Sequence, residues 1–242
     1  HAETVEQFAF FLYAYPSMKR WLKESLYACA RDFATSKWET VGLFKVIDKI
    51  GGPKGRDCPG HSILPNLMMY EVARRDGLAK PQRYLNAAIA QARWVVKTLA
   101  PSDPRVMKGQ RMSEHKLISG LAILMRRYAD QAPRGLRAWM ETWADVAIER
   151  SANLWDYRKF DDENWSLPKP WNEPGTIAAF PGISRAVASL LAGDARKRDV
   201  VRRLEELAVS NYDNLFGRNP LGAASSANVA AYPGLDKPWP IQ

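Results

Sequence analysis

Apolar residues recur at intervals of three and four along most of the chain, and this spacing is typical of amphipathic helices. Such sets run from Leu117 to Tyr128, from Leu136 to Ile148 and from Val200 to Leu215. Alternation with a period of two is nearly missing, and no hairpin turn is flanked by strand-like segments. The sequence therefore predicts an all-α protein. Its helices are expected at roughly 3–14, 17–34, 39–50, 62–76, 81–99, 114–130, 135–151, 183–192 and 195–216.

The connections between the predicted helices alternate between short and long. The short connections lie at 75–80, 130–133 and 193–194, and the long ones at 51–60, 100–112 and 151–182. Each short connection joins a compact apolar helix to a longer and more charged one, so the chain repeats a helical hairpin. Such hairpins stack into an open solenoid or close into an (α/α) toroid with inner and outer helices. Because the length varies only in the connections between hairpins, the pattern favours the toroid, with a functional face where the long connections meet.

Composition and charge narrow the choice of function. The apolar fraction is 46% and the charged fraction 25%, which is typical of a globular chain and excludes a disordered one. The net charge of +9 favours an acidic partner weakly, because it does not say where the charges lie. The basic run from Arg196 to Glu206 is expected to be a solvated outer face. It lacks the interleaved aromatic residues of a nucleic-acid surface, so we predict no nucleic-acid partner.

The cysteines, the histidines and the apolar stretches exclude further classes. Cys29 and Cys58 are too few for a disulfide-dense scaffold or a cysteine-rich zinc module, and they are either a disulfide or two buried thiols. The chain opens at His1 without a recognisable signal peptide. The three histidines form no helical ligand pair, so no metal site and no cofactor are predicted. No apolar stretch reaches the roughly 18 residues of a membrane-spanning helix.

The connection at 151–182, "SANLWDYRKFDDENWSLPKPWNEPGTIAAFPG", carries the densest candidate chemistry. Tryptophan faces stack on the apolar faces of sugar rings, and carboxylates beside them bind hydroxyls or transfer protons. The plainer interpretation is that the tryptophans plug the end of the barrel and the acids face water. The residues concerned are Trp155, Trp165, Trp171, Tyr157, Asp161, Asp162 and Glu173.

A second group of candidates lies at the start of a predicted inner helix. Arg111, Glu114 and His115 cluster there, and a histidine beside a glutamate is able to carry a proton. More often such a glutamate only caps the helix and complements its dipole, and such a histidine is only packed. The glycine-rich stretch 51–60 lacks the Gly-Lys-Ser/Thr ending of a phosphate-binding loop, which excludes nucleotide binding there.

The segment "YDNLFGRNPLGAASSANVAAYPG", Tyr212 to Gly234, resembles the late segment of glycoside hydrolase family 9 and related six-hairpin carbohydrate-active proteins. The resemblance implies an (α/α) toroid acting on polysaccharide, and with it a periplasmic or secreted location. The domain would span 1–242, with about four of six hairpins visible. The early aspartate-rich loop, the late histidine motif and the glutamate of that family are not found, so its catalytic pair is not carried over. The matching residues are Leu215, Gly217, Asn219, Pro220, Gly222 and Ser225.

The sequence therefore favours a glycoside hydrolase, with Glu173 as proton donor and Asp161 or Asp162 as base. A polysaccharide lyase is the alternative, with Tyr157 or His115 removing the proton beside a uronic carboxylate. Arg111 would neutralise that carboxylate. A non-catalytic glycan-binding module and a helical-repeat adaptor for another protein also remain open. A polysaccharide or oligosaccharide is the expected partner, and the oligomeric state is left open.

Overall fold

The computed structural model describes residues 2–18, 23–24, 60, 62–78, 80–107, 113–159, 174–216 and 218. The helices predicted at 17–34 and 39–50 lie largely outside these residues. The two cysteines and most of the segment that resembles family 9 lie outside them as well.

Every regular element in the described residues is helical, and no strand occurs among them, as the spacing of apolar residues predicted. Two single-turn 3₁₀ segments, Ala129–Gln131 and Ala195–Lys197, lie in the short connections. The α-helices are α1 (Ala2–Ala14), α2 (Ile63–Arg75), α3 (Gln82–Thr98), α4 (Pro104–Met107), α5 (Ser113–Arg127), α6 (Leu136–Arg150), α7 (Pro174–Leu191) and α8 (Arg198–Leu215). No helix in the described part of the chain combines the length and the apolar character that a bilayer crossing needs.

The predicted helical hairpins are present as α2–α3, α5–α6 and α7–α8. The turn after α2 closes through Gly77, whose φ of 66° is left-handed, and Leu78 N donates to Ala73 O at 2.8 Å. This is the Schellman arrangement that glycine permits without strain. The turn before α8 is capped by Asp194, whose Oδ1 accepts a hydrogen bond from Arg196 N at 3.0 Å.

The three hairpins form two layers. The first helices, α2, α5 and α7, contact one another in that order, and the second helices, α3, α6 and α8, do the same. α1 packs on α2. A two-layer array of this kind is common to solenoids and toroids, and it positions the connections at its ends.

A close approach between α2 and α5 fixes the centre of the array. A Cβ placed on Gly120 would lie 2.9 Å from Ile63 Cγ2 and 3.2 Å from the backbone nitrogen of Leu64. Only glycine leaves room for the two helices at this distance. Around this point the core is built from buried aliphatic residues of every layer, among them Leu67, Leu117, Leu121, Val187, Leu191, Leu204 and Leu207.

The start of α7 differs from the prediction. The helix was expected at 183–192, because Pro181 and Gly182 together read as a helix stop. It begins at Pro174 and continues through Pro181, which is buried. Proline is favoured in the first helical turn, where its missing N–H removes no hydrogen bond, so Pro174 is the true start. The long connection therefore runs from Ser151 to 173, and not to Gly182.

The charged outer face of α8 agrees with the sequence. Arg198, Arg202, Glu205 and Glu206 are exposed. Arg202 lies within 2.8 Å of Glu206 and 3.6 Å of Asp199, so its charge is neutralised along the helix. Ion pairs at this spacing are typical of a solvated helix surface.

Candidate functional site

The described flanks of the long connections meet at one end of the array. Gly60, with a left-handed φ of 68°, ends the first of them and packs on α5, where a Cβ would lie 2.4 Å from Leu117 Cδ1. Arg158, in the third connection, contacts Glu114 in the first turn of α5 and Phe180 of α7. The amino-terminal ends of α2, α5 and α7 therefore lie at the same end of the molecule, which we call the loop end.

A buried ion pair holds the loop end together. Arg158 Nη1 lies 2.5 Å from Glu114 Oε2, and each side chain is 2% exposed. Trp143 of α6 donates its indole N–H to Glu114 Oε1 at 2.9 Å. The guanidinium carbon of Arg158 lies 4.7 Å from the centre of the Phe180 ring, within the range of a cation–π contact. We refer to Glu114, Trp143, Arg158 and Phe180 as the anchor cluster.

Burial and ion pairing shift the pKa values of the two charged groups of the anchor cluster in opposite directions. Burial raises the pKa of the Glu114 carboxyl, and the Arg158 charge and the Trp143 hydrogen bond oppose that rise. Burial lowers the pKa of the Arg158 guanidinium, and Glu114 opposes that fall. Glu114 therefore depends on Arg158 to remain charged inside the protein, since an isolated buried charge is strongly unfavourable.

The chain between Ser151 and Lys159 forms an ordered turn rather than an irregular loop. Asn153 Oδ1 accepts from the backbone N–H groups of Trp155 and Tyr157, both at 3.2 Å, and Asn153 Nδ2 donates to Tyr157 O at 2.6 Å. Asp156 has a left-handed φ of 55°, which a short polar side chain tolerates. The hydrogen bonds of the Asn153 side chain thus fix the backbone of this turn locally, without a contact from another element.

Helix α8 then fixes this turn from the other side. Asn214 Nδ2 donates to Trp155 O at 2.7 Å, and Asn211 Nδ2 donates to Asp156 O at 3.3 Å. Arg203 pairs with the Asp156 carboxylate at 2.5 Å. The turn is consequently held by α8 through its backbone and by α5 through the Glu114–Arg158 pair.

Besides Glu114, three of the residues predicted for the site lie in the described residues, and all three lie at the loop end. His115 follows Glu114 in α5 and is half-buried, and Trp155 is half-buried in the turn. Tyr157 is only 3% exposed, and burial raises the pKa of its hydroxyl. The remaining predicted residues, Asp161, Asp162, Trp165, Trp171, Glu173 and Arg111, lie outside the described residues.

Sequence reasoning missed Arg158 and Trp143 and gave Glu114 too small a role. Glu114 was expected to be a cap or a candidate for proton transfer, but its side chain is buried and paired. Trp143 belongs to an apolar helix face, which predicts burial and says nothing about its N–H. The available signal for Arg158 was its position between Tyr157 and Phe160, because an arginine among aromatic residues often stacks on them.

The described residues line two cavities outside the anchor cluster. One of about 60 Å³ between α1, α2 and α5 is largely apolar, with Glu71, Arg127 and Tyr128 among its lining residues. The other is an open groove of about 480 Å³ along α8, lined by charged side chains that include Asp156, Arg202 and Arg218. In the described part of the chain no group of three or more histidine, cysteine, aspartate or glutamate residues is placed to hold a metal ion.

Comparison of the chain with known protein families, with curated proteins and with solved structures gives no match. The resemblance of the segment after Tyr212 to family 9 therefore stays a prediction from its residues.

Proposed function

We propose that this chain is a carbohydrate-active (α/α) toroid protein that hydrolyses a polysaccharide or oligosaccharide through carboxylate acid–base chemistry. The observation that supports the proposal is the contact between Arg158 and Glu114, which holds the described part of the third long connection, 151–159, on the start of α5. His115 and the aromatic ring of Trp155 lie at that same end. Aromatic faces beside ionisable groups at one end of a helical array suit the binding of a sugar chain.

The proposed acids belong to the chain between Lys159 and Pro174. Arg158, just before this segment, contacts Phe180, which lies in the second turn of the helix that follows it. Glu173 is proposed as the proton donor to the leaving oxygen, with Asp161 or Asp162 as the carboxylate that activates water or attacks the sugar. Trp155 is proposed as a platform for a sugar ring.

The state of Tyr157 favours the hydrolase over the lyase form of the proposal. A lyase base must reach the proton beside the uronic carboxylate and must be deprotonated to remove it. Tyr157 is 3% exposed and its pKa is raised by burial, so its hydroxyl is poorly placed and poorly ionised for that task. His115, which is half-buried, remains the base that a lyase would use.

The test is a panel of neutral and uronic polysaccharides assayed for release of reducing ends and for the ultraviolet absorbance of an unsaturated uronate. The hydrolase predicts reducing ends without that absorbance. Alanine at Glu173, and at whichever of Asp161 and Asp162 is the base, should reduce turnover by about 10²-fold or more. Asp199→Ala, a change at a solvent-exposed carboxylate on α8, should leave turnover unchanged.

Three other results would contradict the hydrolase. Absorbance from a uronic glycan would support the lyase. Glycan binding without turnover would support a binding module that lacks the acids. Neither binding nor turnover with any glycan would overturn the carbohydrate proposal altogether.

A further inference from the structure

The Glu114–Arg158 pair is an unusual way to fill space in a helical core. Both side chains are 2% exposed, and two aromatic side chains of the helical core, Trp143 and Phe180, contact them. Removing two charges from water costs free energy that their attraction seldom exceeds, and apolar residues of similar volume often give equal or greater stability. Stability alone therefore gives little reason for an ion pair at this point of the molecule.

Hydrogen bonds between charged groups have a preferred direction, which apolar contacts lack. The pair therefore holds its two side chains in a single geometry. Glu114 uses one carboxylate oxygen for Arg158 and the other for the indole N–H of Trp143, so its orientation is fixed by α6 and by the connection. Phe180 lies against the guanidinium, so α7 fixes the arginine as well. A slip of the turn relative to α5 would break these contacts together.

Glu114 and Arg158 lie close in sequence to His115 and Trp155, the two half-buried candidate residues at the loop end. His115 follows Glu114 directly, so the orientation of Glu114 in the first turn of α5 also fixes where the His115 backbone lies. Trp155 lies three residues before Arg158 in the ordered turn, and Asn214 holds its carbonyl at 2.7 Å. Fixing Glu114 against Arg158 therefore fixes the α5 end that carries His115 against the turn that carries Trp155.

We propose that Glu114 and Arg158 are positioning residues, which hold His115 and Trp155 in one fixed arrangement at the loop end, where the glycan is proposed to bind. The inference deepens the proposed function and rests on it for the nature of the ligand. The positioning itself depends only on the contacts of the anchor cluster, so it is testable without any glycan.

The decisive variant replaces the whole pair by apolar residues of similar size, Glu114→Leu with Arg158→Met. This change removes both charges of the pair together, although it also removes the acceptor of the Trp143 indole N–H. We therefore expect a melting temperature within a few degrees of that of the parent chain. Amide hydrogen exchange is then measured at Trp155, Asp156 and Tyr157, whose N–H groups all bond to Asn153. We expect these amides to exchange at least about tenfold faster, with the amides of α6 and α8 unchanged.

Arg158→Lys is the second variant, because it keeps the charge and folds even if the double variant does not. It loses the planar stacking on Phe180 and the fork geometry of the guanidinium, so exchange in the turn should rise by a smaller factor. Arg202→Met is the matched control, since it removes an arginine that is 65% exposed and paired on α8. It should leave exchange in the turn unchanged.

With a glycan that the parent chain cleaves, the double variant should lose kcat by more than its KM rises, because misplaced groups weaken the transition state more than ground-state binding. A double variant that melts far below the parent would show a purely structural pair and overturn the proposal. Unchanged exchange in the turn of both variants would overturn it too. Faster exchange in a chain that cleaves and binds no glycan would retain the positioning and contradict the proposed function instead.

Discussion

A carboxylate in the first turn of a helix ordinarily faces water, where it complements the positive end of the helix dipole. Glu114 has that position in the sequence, and its side chain is nevertheless buried against Arg158 and Trp143. The difference arises from a partner that is remote in the chain. A residue's local role follows from its own helix, whereas its burial follows from what the tertiary fold places over it.

At the residue scale, removing one charge of the pair should be far more harmful than removing both. Arg158→Met leaves Glu114 buried without its counter-charge, and we expect a loss of about 3–5 kcal/mol in the free energy of unfolding. Chemical denaturation of the variant measures this loss. The control, Arg202→Met, removes an exposed arginine and should change stability by less than about 1 kcal/mol. Equal effects of the two variants would show that the buried pair has no special energetic role.

At the scale of the elements, the periodicity of apolar residues was sufficient to predict the three described hairpins and their order. It failed at the start of α7, because Pro181 and Gly182 break isolated helices. Here tertiary packing buries Pro181 and keeps the helix continuous through it. Local propensity is a weak guide wherever a buried face supplies most of a helix's stability.

Substitutions at two helical glycines separate the effect of tertiary packing from that of local helix propensity. Gly120→Ala would place a Cβ 2.9 Å from Ile63 Cγ2, so we expect about 1–3 kcal/mol of destabilisation from overpacking between α2 and α5. Gly182→Ala meets no atom within 4 Å and replaces a glycine inside α7, so it should stabilise the protein by about 0.5–1 kcal/mol. Thermal or chemical denaturation of both variants measures the contrast. Destabilisation by both changes would contradict the expectation that α7 gains from a better helix former at position 182.

At the scale of the whole molecule, the alternation of short and long connections predicted where a functional end would lie. The described flanks at Gly60, Glu114 and Arg158 lie at the same end of the array, and that this end is the functional one stays a prediction. The contacts that hold them were not predictable. The partners are far apart in the chain, and a pairing between remote residues has no periodic signal in a single sequence. The closure of the hairpins into a ring is part of the proposal made for this protein.

The last prediction concerns this loop end as a binding surface. If a sugar ring stacks on Trp155, then Trp155→Ala should weaken binding of the glycan that the chain recognises by about three- to tenfold, the usual effect of losing one aromatic platform. Trp155→Phe keeps an aromatic face and should retain most of the affinity.

Titration calorimetry with that glycan measures the change, and Leu154→Ala is the matched control. Leu154 is the preceding residue and is 87% exposed, so its truncation removes apolar surface from the same turn without removing a stacking face. Equal losses for Trp155→Ala and Leu154→Ala would mean that the turn contributes only general apolar contact. Unchanged affinity in both would place the sugar away from the turn, and the fixed geometry of the anchor cluster would then serve some other group at the loop end.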